Sequence, residues 1–131
     1  MKRVVVTGVA GFSPIGNDWA TIRHHLETMT TGICRIDEWD KYAELNTRLG
    51  APVRDFEMPA HYKRKDLRSM GRVAKLAVLS TELALEKAGL LKDPILHSGE
   101  VGVAYGSSAG DTGAVADFGN MLLNHSCEGL N

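Results

Sequence analysis

Gly106-Ser107-Ser108-Ala109-Gly110 reads G-x-S-x-G and follows the apolar run Val101-Gly102-Val103-Ala104-Tyr105. A serine held between glycines at a strand-to-helix turn is the setting of a hydrolase nucleophile, which would make Ser108 the attacking residue. That chemistry needs a base and an acid to orient it, and in that fold both come later in the chain. Here Asp111, Asp117 and His125 follow on or just after a single helical stretch, and no glycine-rich oxyanion loop precedes the serine. The loop reads instead as a place where backbone comes close to a ligand or another chain, which glycine's missing Cβ permits.

A second glycine loop, Thr7-Gly8-Val9-Ala10-Gly11-Phe12-Ser13-Pro14, lies between an apolar run and a helical pattern, the context of a dinucleotide-binding turn. Pro14 stands where that turn requires glycine, and no acidic residue closes a second strand at the spacing that would hold a ribose. Cys34 and Cys127 have no second cysteine or histidine at metal-ligand spacing, so reduced, small, buried apolar side chains are expected. Cys127 also lacks a nearby cation, with Glu128 beside it, which disfavours a reactive thiolate. His24, His25, His61 and His97 lie on polar stretches and read as solvated or capping residues. Lys63, Arg64, Lys65, Arg68 and Arg72 concentrate positive charge, either as a solvated helix start or as a dock for an acidic partner.

These residues need elements to carry them. Val4-Val5-Val6 is β-branched and wholly apolar, which predicts a strand over residues 3–7 buried on both faces, as in a parallel sheet. Asn17 or Asp18 can cap a helix from about Trp19, with Ile22, His25, Leu26 and Met29 on one face and Gly32 at its end. Residues 33–60 show no regular period, and Ala51-Pro52-Val53 suits at most an edge strand. A helix is predicted from about Arg68 to Ala88, largely buried in its first half and closed by Gly89. Residues 101–105 then read as a second buried strand, and Asp111 or Thr112 as the cap of a helix carrying Val115, Phe118, Met121 and Leu122. Strand, helix, irregular segment, helix, strand and helix in that order predict an α/β fold with a parallel-containing sheet and helices on its faces.

The chain has 131 residues, enough for one domain and one core. Apolar residues make up 44% and charged residues 24%, a globular balance, and the formal charge of −1 excludes a global field toward nucleic acid or an anionic membrane. No apolar run reaches the length of a membrane-spanning helix, and Met1-Lys2-Arg3-Val4-Val5-Val6 lacks a signal-peptide cleavage pattern, so a cytoplasmic chain is expected. Two strands leave both sheet edges open, and Leu130-Asn131 follows a helix with no strand to complete the last crossover, which predicts an incomplete unit.

Lys2-Arg3-Val4-Val5-Val6-Thr7-Gly8, Ser13-Pro14-Ile15-Gly16-Asn17, Arg64-Lys65 with Arg68, and the stretch from Val101 to Gly110 together resemble the N-terminal part of a β-ketoacyl-acyl carrier protein synthase of the KAS II type. The resemblance implies a thiolase-like α/β fold, with residues 1–131 an N-terminal portion that stops before the family's catalytic cysteine. It implies a decarboxylative Claisen condensation between an acyl thioester and malonyl-acyl carrier protein, with no metal or redox cofactor. No T-A-C-x-S-G-like segment occurs here, and neither Cys34 nor Cys127 matches one. The family's catalytic cysteine, two histidines and lysine are therefore expected beyond Asn131, and this chain by itself is expected to be inactive. By the same resemblance, Arg64, Lys65 and Arg68 dock acyl carrier protein, and the complete synthase is a homodimer or heterodimer. Gly106, Ser107, Ser108, Ala109 and Gly110 form an acyl-pocket loop that resembles G-S-G-x-G-G, with Ser108 and Asp111 replacing two of its glycines. The competing reading is a non-catalytic or nucleotide-binding α/β module that uses the loop from Gly8 to Gly16.

Overall fold

The computed structural model describes residues 3–128. The start of the Lys2 to Gly8 motif lies outside the described residues, and so does Asn131, the position past which the family's catalytic residues are expected. The described residues fall into two compact units, Ala10–Glu57 and the residues up to Val9 together with those from Met58 onward. In the first unit, Ser13 and Gly16 exchange backbone hydrogen bonds of 3.0 and 3.2 Å across Pro14-Ile15, and Gly16 takes a φ of +143°. Helix α1 spans Trp19–Glu27, and the Asp18 carboxylate accepts from the Thr21 amide at 2.9 Å, so the predicted cap holds.

α1 ends earlier than Gly32. Met29 takes the left-handed conformation at φ +52°, donating its N–H to Leu26 O at 3.2 Å, while the Thr30 N–H reaches His25 O at 2.8 Å. That is a Schellman stop with methionine in the position glycine normally fills. Gly32 serves a different purpose: a Cβ there would stand 2.5 Å from the Pro14 carbonyl oxygen, so only hydrogen fits. His25 is also more than solvated, since the Ile15 carbonyl accepts from Nδ1 at 2.6 Å, which places a proton on that nitrogen.

The irregular stretch contains the only sheet among the described residues, two short antiparallel strands, β1 (Cys34–Arg35) and β2 (Leu49–Gly50), registered Cys34 to Gly50 and Arg35 to Leu49. Arg48 folds the intervening segment, which includes a 3-10 turn over Asp37–Lys41, back on itself. It donates to Leu45 O at 2.9 Å and Tyr42 O at 3.1 Å and meets the Asp40 carboxylate at 2.8 Å. β2 stops at Gly50, so Ala51-Pro52-Val53 is not an edge strand; Pro52 has no N–H with which to extend the ladder.

In the second unit, α2 (Arg64–Leu67) is one turn, and α3 (Arg72–Lys87) starts four residues later than the sequence predicts, behind Gly71. Its end is as predicted: Gly89 at φ +72° donates to Glu86 O at 2.9 Å, and the Leu90 N–H reaches Leu85 O at 2.8 Å. A 3-10 turn over Pro94–His97 follows, and α4 spans Thr112–Asn124 with Asp111 as its cap.

The two predicted buried strands carry no backbone ladder among the described residues, and the sheet that exists is antiparallel rather than parallel. Val4 and Val6 are 92% and 82% exposed and Val103 is 75% exposed, because the described residues supply no layer for either face. The burial expected for the first half of α3 is likewise confined to its middle, where Leu79 is buried and Val73 is not. Gly8 packs on α3, where a Cβ would stand 2.3 Å from the Ala84 carbonyl oxygen. No helix among the described residues is long and apolar enough to cross a membrane.

Candidate functional site: a cationic turn and a glycine-serine loop

The basic residues collect on and beside α2. Arg64 and Lys65 lie within it, Arg68 is its C-cap, and all three are exposed. None makes an ion pair among the described residues. The turn starts locally: the Asp66 carboxylate accepts the Lys63 amide at 3.0 Å, the acidic half of a capping box. A single turn has too few hydrogen bonds of its own to persist in water, so its position must come from packing.

That packing reaches back to α3. The Tyr62 hydroxyl donates to Glu82 Oε2, and His61 Nε2 lies 3.0 Å from Oε1 of the same carboxylate. The His61 and Tyr62 rings are 4.5 Å apart between centroids. Burial first, then the hydrogen bond and the charge of Glu82, push the Tyr62 phenol up to about 12. Sequence reasoning missed this cluster, since Glu82 looks like one more polar position on α3.

The glycine-serine loop closes on itself. Ser107 Oγ accepts the Gly110 N–H at 3.0 Å, and Gly110 takes a φ of +62°. Asp111 Oδ1 accepts the Gly113 amide at 2.9 Å, so this departure from the glycine pattern caps α4. Ser108 and Ala109 are exposed at the tip. No hydrogen bond links Ser108 to a histidine or carboxylate among the described residues, which leaves a serine nucleophile without its base. Gly106, Ser107 and Asp111 line a cavity of about 330 Å³ with Val73, Ala74, Ala77 and Tyr105, whereas Ser108, Ala109 and Gly110 do not reach it.

Other candidates are placed apart from these. Cys34 is half-buried, with Arg54 donating to its sulfur at 3.1 Å, and Cys127 is exposed, so neither is the enclosed apolar side chain expected. In the loop from Gly8 to Gly16, the amides of Ser13, Ile15 and Gly16 bond within the turn, to Gly16 O, Ser13 Oγ and Ser13 O. Three of the loop's amide donors are thereby committed within the turn rather than offered to an anion. Among the described residues no group of three or more histidines, cysteines or carboxylates could hold a metal ion.

The family described as "Beta-ketoacyl synthase, N-terminal domain" matches residues 1–126. The chain belongs to the β-ketoacyl synthase family. It is similar to 3-oxoacyl-[acyl-carrier-protein] synthase 2 of Synechocystis, 32% identical over 123 residues that make up 94% of this chain and 29% of that protein. The synthase 2 of Vibrio harveyi is also 32% identical, over 83% of this chain and 26% of its own length. A crystal structure of a β-ketoacyl synthase from Burkholderia phymatum superimposes with a TM-score of 0.92 at 42% identity, covering 100% of this chain and 32% of that one. The chain thus spans under a third of the length of the relatives it matches. Its fold is the N-terminal portion of a thiolase-like β-ketoacyl synthase, an α/β fold whose helices are present here with only the small antiparallel pair as sheet among the described residues. Members of a family that superimpose this closely share backbone paths, so α2, α3 and the loop after Tyr105 occupy β-ketoacyl synthase positions.

Proposed function

We propose that these residues serve a 3-oxoacyl-[acyl-carrier-protein] synthase, an acyltransferase of fatty acid or polyketide-like biosynthesis. The observation that carries this reading is the superposition over the whole chain at 42% identity. In the proposed reaction a cysteine thiolate, contributed from beyond Asn131, attacks the acyl thioester, and the carrier's thiol leaves. Malonyl-carrier protein then loses carbon dioxide, and the resulting enolate attacks the acyl-enzyme, releasing the thiolate and the β-ketoacyl product.

The part played by this chain is docking and acyl binding. Arg64, Lys65 and Arg68 present cations on one exposed turn, suited to an acidic helix of acyl carrier protein. Gly106, Ser107, Ser108, Ala109 and Gly110 supply part of the acyl wall; of these, Gly106 and Ser107 line the cavity shared with Tyr105 and α3. The nucleotide-binding alternative has the committed amides of the Ser13 to Gly16 turn against it.

A chimera tests the proposal. Residues 1–126 replace the matching stretch of the Synechocystis synthase 2, and β-ketoacyl product is measured with acyl- and malonyl-carrier protein, the 131-residue chain alone serving as the no-product arm. A folded chimera that condenses, and loses affinity for carrier protein on Lys65→Glu with Arg68→Glu, fits the proposal. A folded chimera with no product, or equal losses on carrier-bound and coenzyme A-bound acyl groups, overturns it.

A further inference from the structure

We infer that Glu82 is a positioning residue for carrier docking, holding the cationic turn through His61 and Tyr62; this rests on the docking role proposed for Arg64, Lys65 and Arg68. The inference starts from an imbalance in α2. It is four residues long, its cationic side chains are exposed, and at its start the Asp66 and Leu67 amides donate to Lys63 O at 2.9 and 3.3 Å. Such a turn frays unless something outside it fixes where the chain enters.

The residues that enter it are the fixed ones. Tyr62 is half-buried and its amide donates to Pro59 O at 3.0 Å, closing a turn just ahead of α2. Its hydroxyl and the His61 ring both end on the Glu82 carboxylate, which is only 20% exposed and sits on the longest helix among the described residues. One carboxylate thus takes two side chains from consecutive residues, which fixes both the position and the rotation of the backbone leading to Lys63. Tyr62 also lines the apolar cavity of about 410 Å³ beside Leu85 and Leu91, so its ring is seated as well as bonded. The carboxylate contributes nothing attractive to an acidic partner. Its charge has the wrong sign for docking, and any favourable effect on docking must come through geometry.

That sign separates the inference from simple electrostatics. Glu82→Gln removes a negative charge near a surface that would recognise anions, so charge alone predicts tighter carrier binding. Positioning predicts weaker binding, because the neutral amide oxygen accepts less strongly than a carboxylate from both the Tyr62 hydroxyl and the His61 ring. Tyr62→Phe keeps the ring and the net charge while removing the hydroxyl. The experiment measures binding of fluorescently labelled acyl carrier protein to the full chain, with amide exchange at Asp66, Leu67 and Met70 followed in parallel. Tyr62→Phe and Glu82→Gln are each expected to weaken binding by about threefold to tenfold, a change of order 1 kcal/mol, and to speed exchange at those amides. His61→Ala is expected to do the same to a smaller degree. A merely structural role would lower the melting temperature and leave carrier affinity unchanged well below it. Unchanged or tighter binding in Tyr62→Phe and Glu82→Gln, while Lys65→Glu with Arg68→Glu still weakens it, overturns the positioning role alone. If the charge reversal also leaves binding unchanged, the docking reading fails and the inference with it.

Discussion

The Asp111 carboxylate lies against the backbone of Gly71, so close that a methyl group on Gly71 would stand 1.3 Å from Oδ2 and 2.1 Å from Cγ. One oxygen of Asp111 caps α4 through the Gly113 amide, and the other is buried at the start of α3 without a hydrogen-bond partner among the described residues. Gly71 is the N-cap of α3 and has no side chain with which to cap it, and the Asp111 oxygen beside it accepts no hydrogen bond from α3 among the described residues.

Gly71→Ala is therefore expected to destabilise the chain by about 1–3 kcal/mol, the usual penalty for forcing a methyl into filled space. Asp111→Gly alone should cost only a few tenths of a kcal/mol, since glycine is a tolerable N-cap. In the double variant the Gly71→Ala penalty should largely vanish. Urea unfolding of the four proteins gives the coupling, and strictly additive effects would show that the two residues do not meet.

Met29 offers a stabilising change. It holds the left-handed position of a Schellman stop at φ +52° while its side chain is 91% exposed, so the strain is not repaid by burial. An L-residue in that conformation costs about 1–2 kcal/mol, which glycine avoids, though glycine adds entropy to the unfolded chain. Met29→Gly should raise the unfolding midpoint, with a net gain of about 0.5–1 kcal/mol. A lower midpoint would mean that the Met29 side chain has contacts worth more than the strain.

Tyr62 should reveal itself at high pH. Its phenol is pushed up to about 12, above the ordinary value of 10.0, by burial and by the neighbouring Glu82 carboxylate. The folded state thus favours the protonated phenol. That contribution to stability is complete below pH 10, and is lost as the pH climbs from about 10 to about 12. Ultraviolet titration should show a tyrosine step near pH 12 that is missing from Tyr62→Phe. A step lost in Tyr62→Phe that lies at the ordinary value of 10.0 would contradict the Tyr62–Glu82 contact.

Sequence patterns are informative here over short distances. Asp18 three residues before Thr21, and Gly89 just after Lys87, announce a cap and a stop because both partners lie within one or two helical turns. The resemblance to β-ketoacyl synthases was likewise readable, because it is carried by several local motifs in the right order. The link between Tyr62 and Glu82 was not, since nothing in either residue names a partner 20 positions away. The apolar runs at residues 3–7 and 101–105 express a side-chain preference for burial, but a ladder also needs a neighbouring backbone, which composition does not specify. Gly32 misled for a related reason: a glycine after a helix looks like a stop signal, whereas this one makes room for Pro14.

The exposed tip of the glycine-serine loop carries the last prediction. Ser107 Oγ and Gly110 N–H bracket Ser108 and Ala109, so the tip has a defined conformation although both residues are exposed. The resemblance implies that Ala109 takes the place of a bulky aliphatic that lines or gates the acyl channel, and on that reading alanine leaves room for about three more carbons. Each buried methylene is worth about 0.8 kcal/mol, or about fourfold in rate, so the effect compounds quickly with chain length. In the chimeric synthase, Ala109 should permit a long, rigid or unsaturated acyl chain. Ala109→Ile should lower kcat/KM for long acyl-carrier proteins by an order of magnitude or more relative to short primers. The measurement is kcat/KM across acyl-carrier proteins graded in length and unsaturation. An unchanged profile in the isoleucine variant would place Ala109 outside the channel, and would mean that the loop is out of register with the G-S-G-x-G-G pattern.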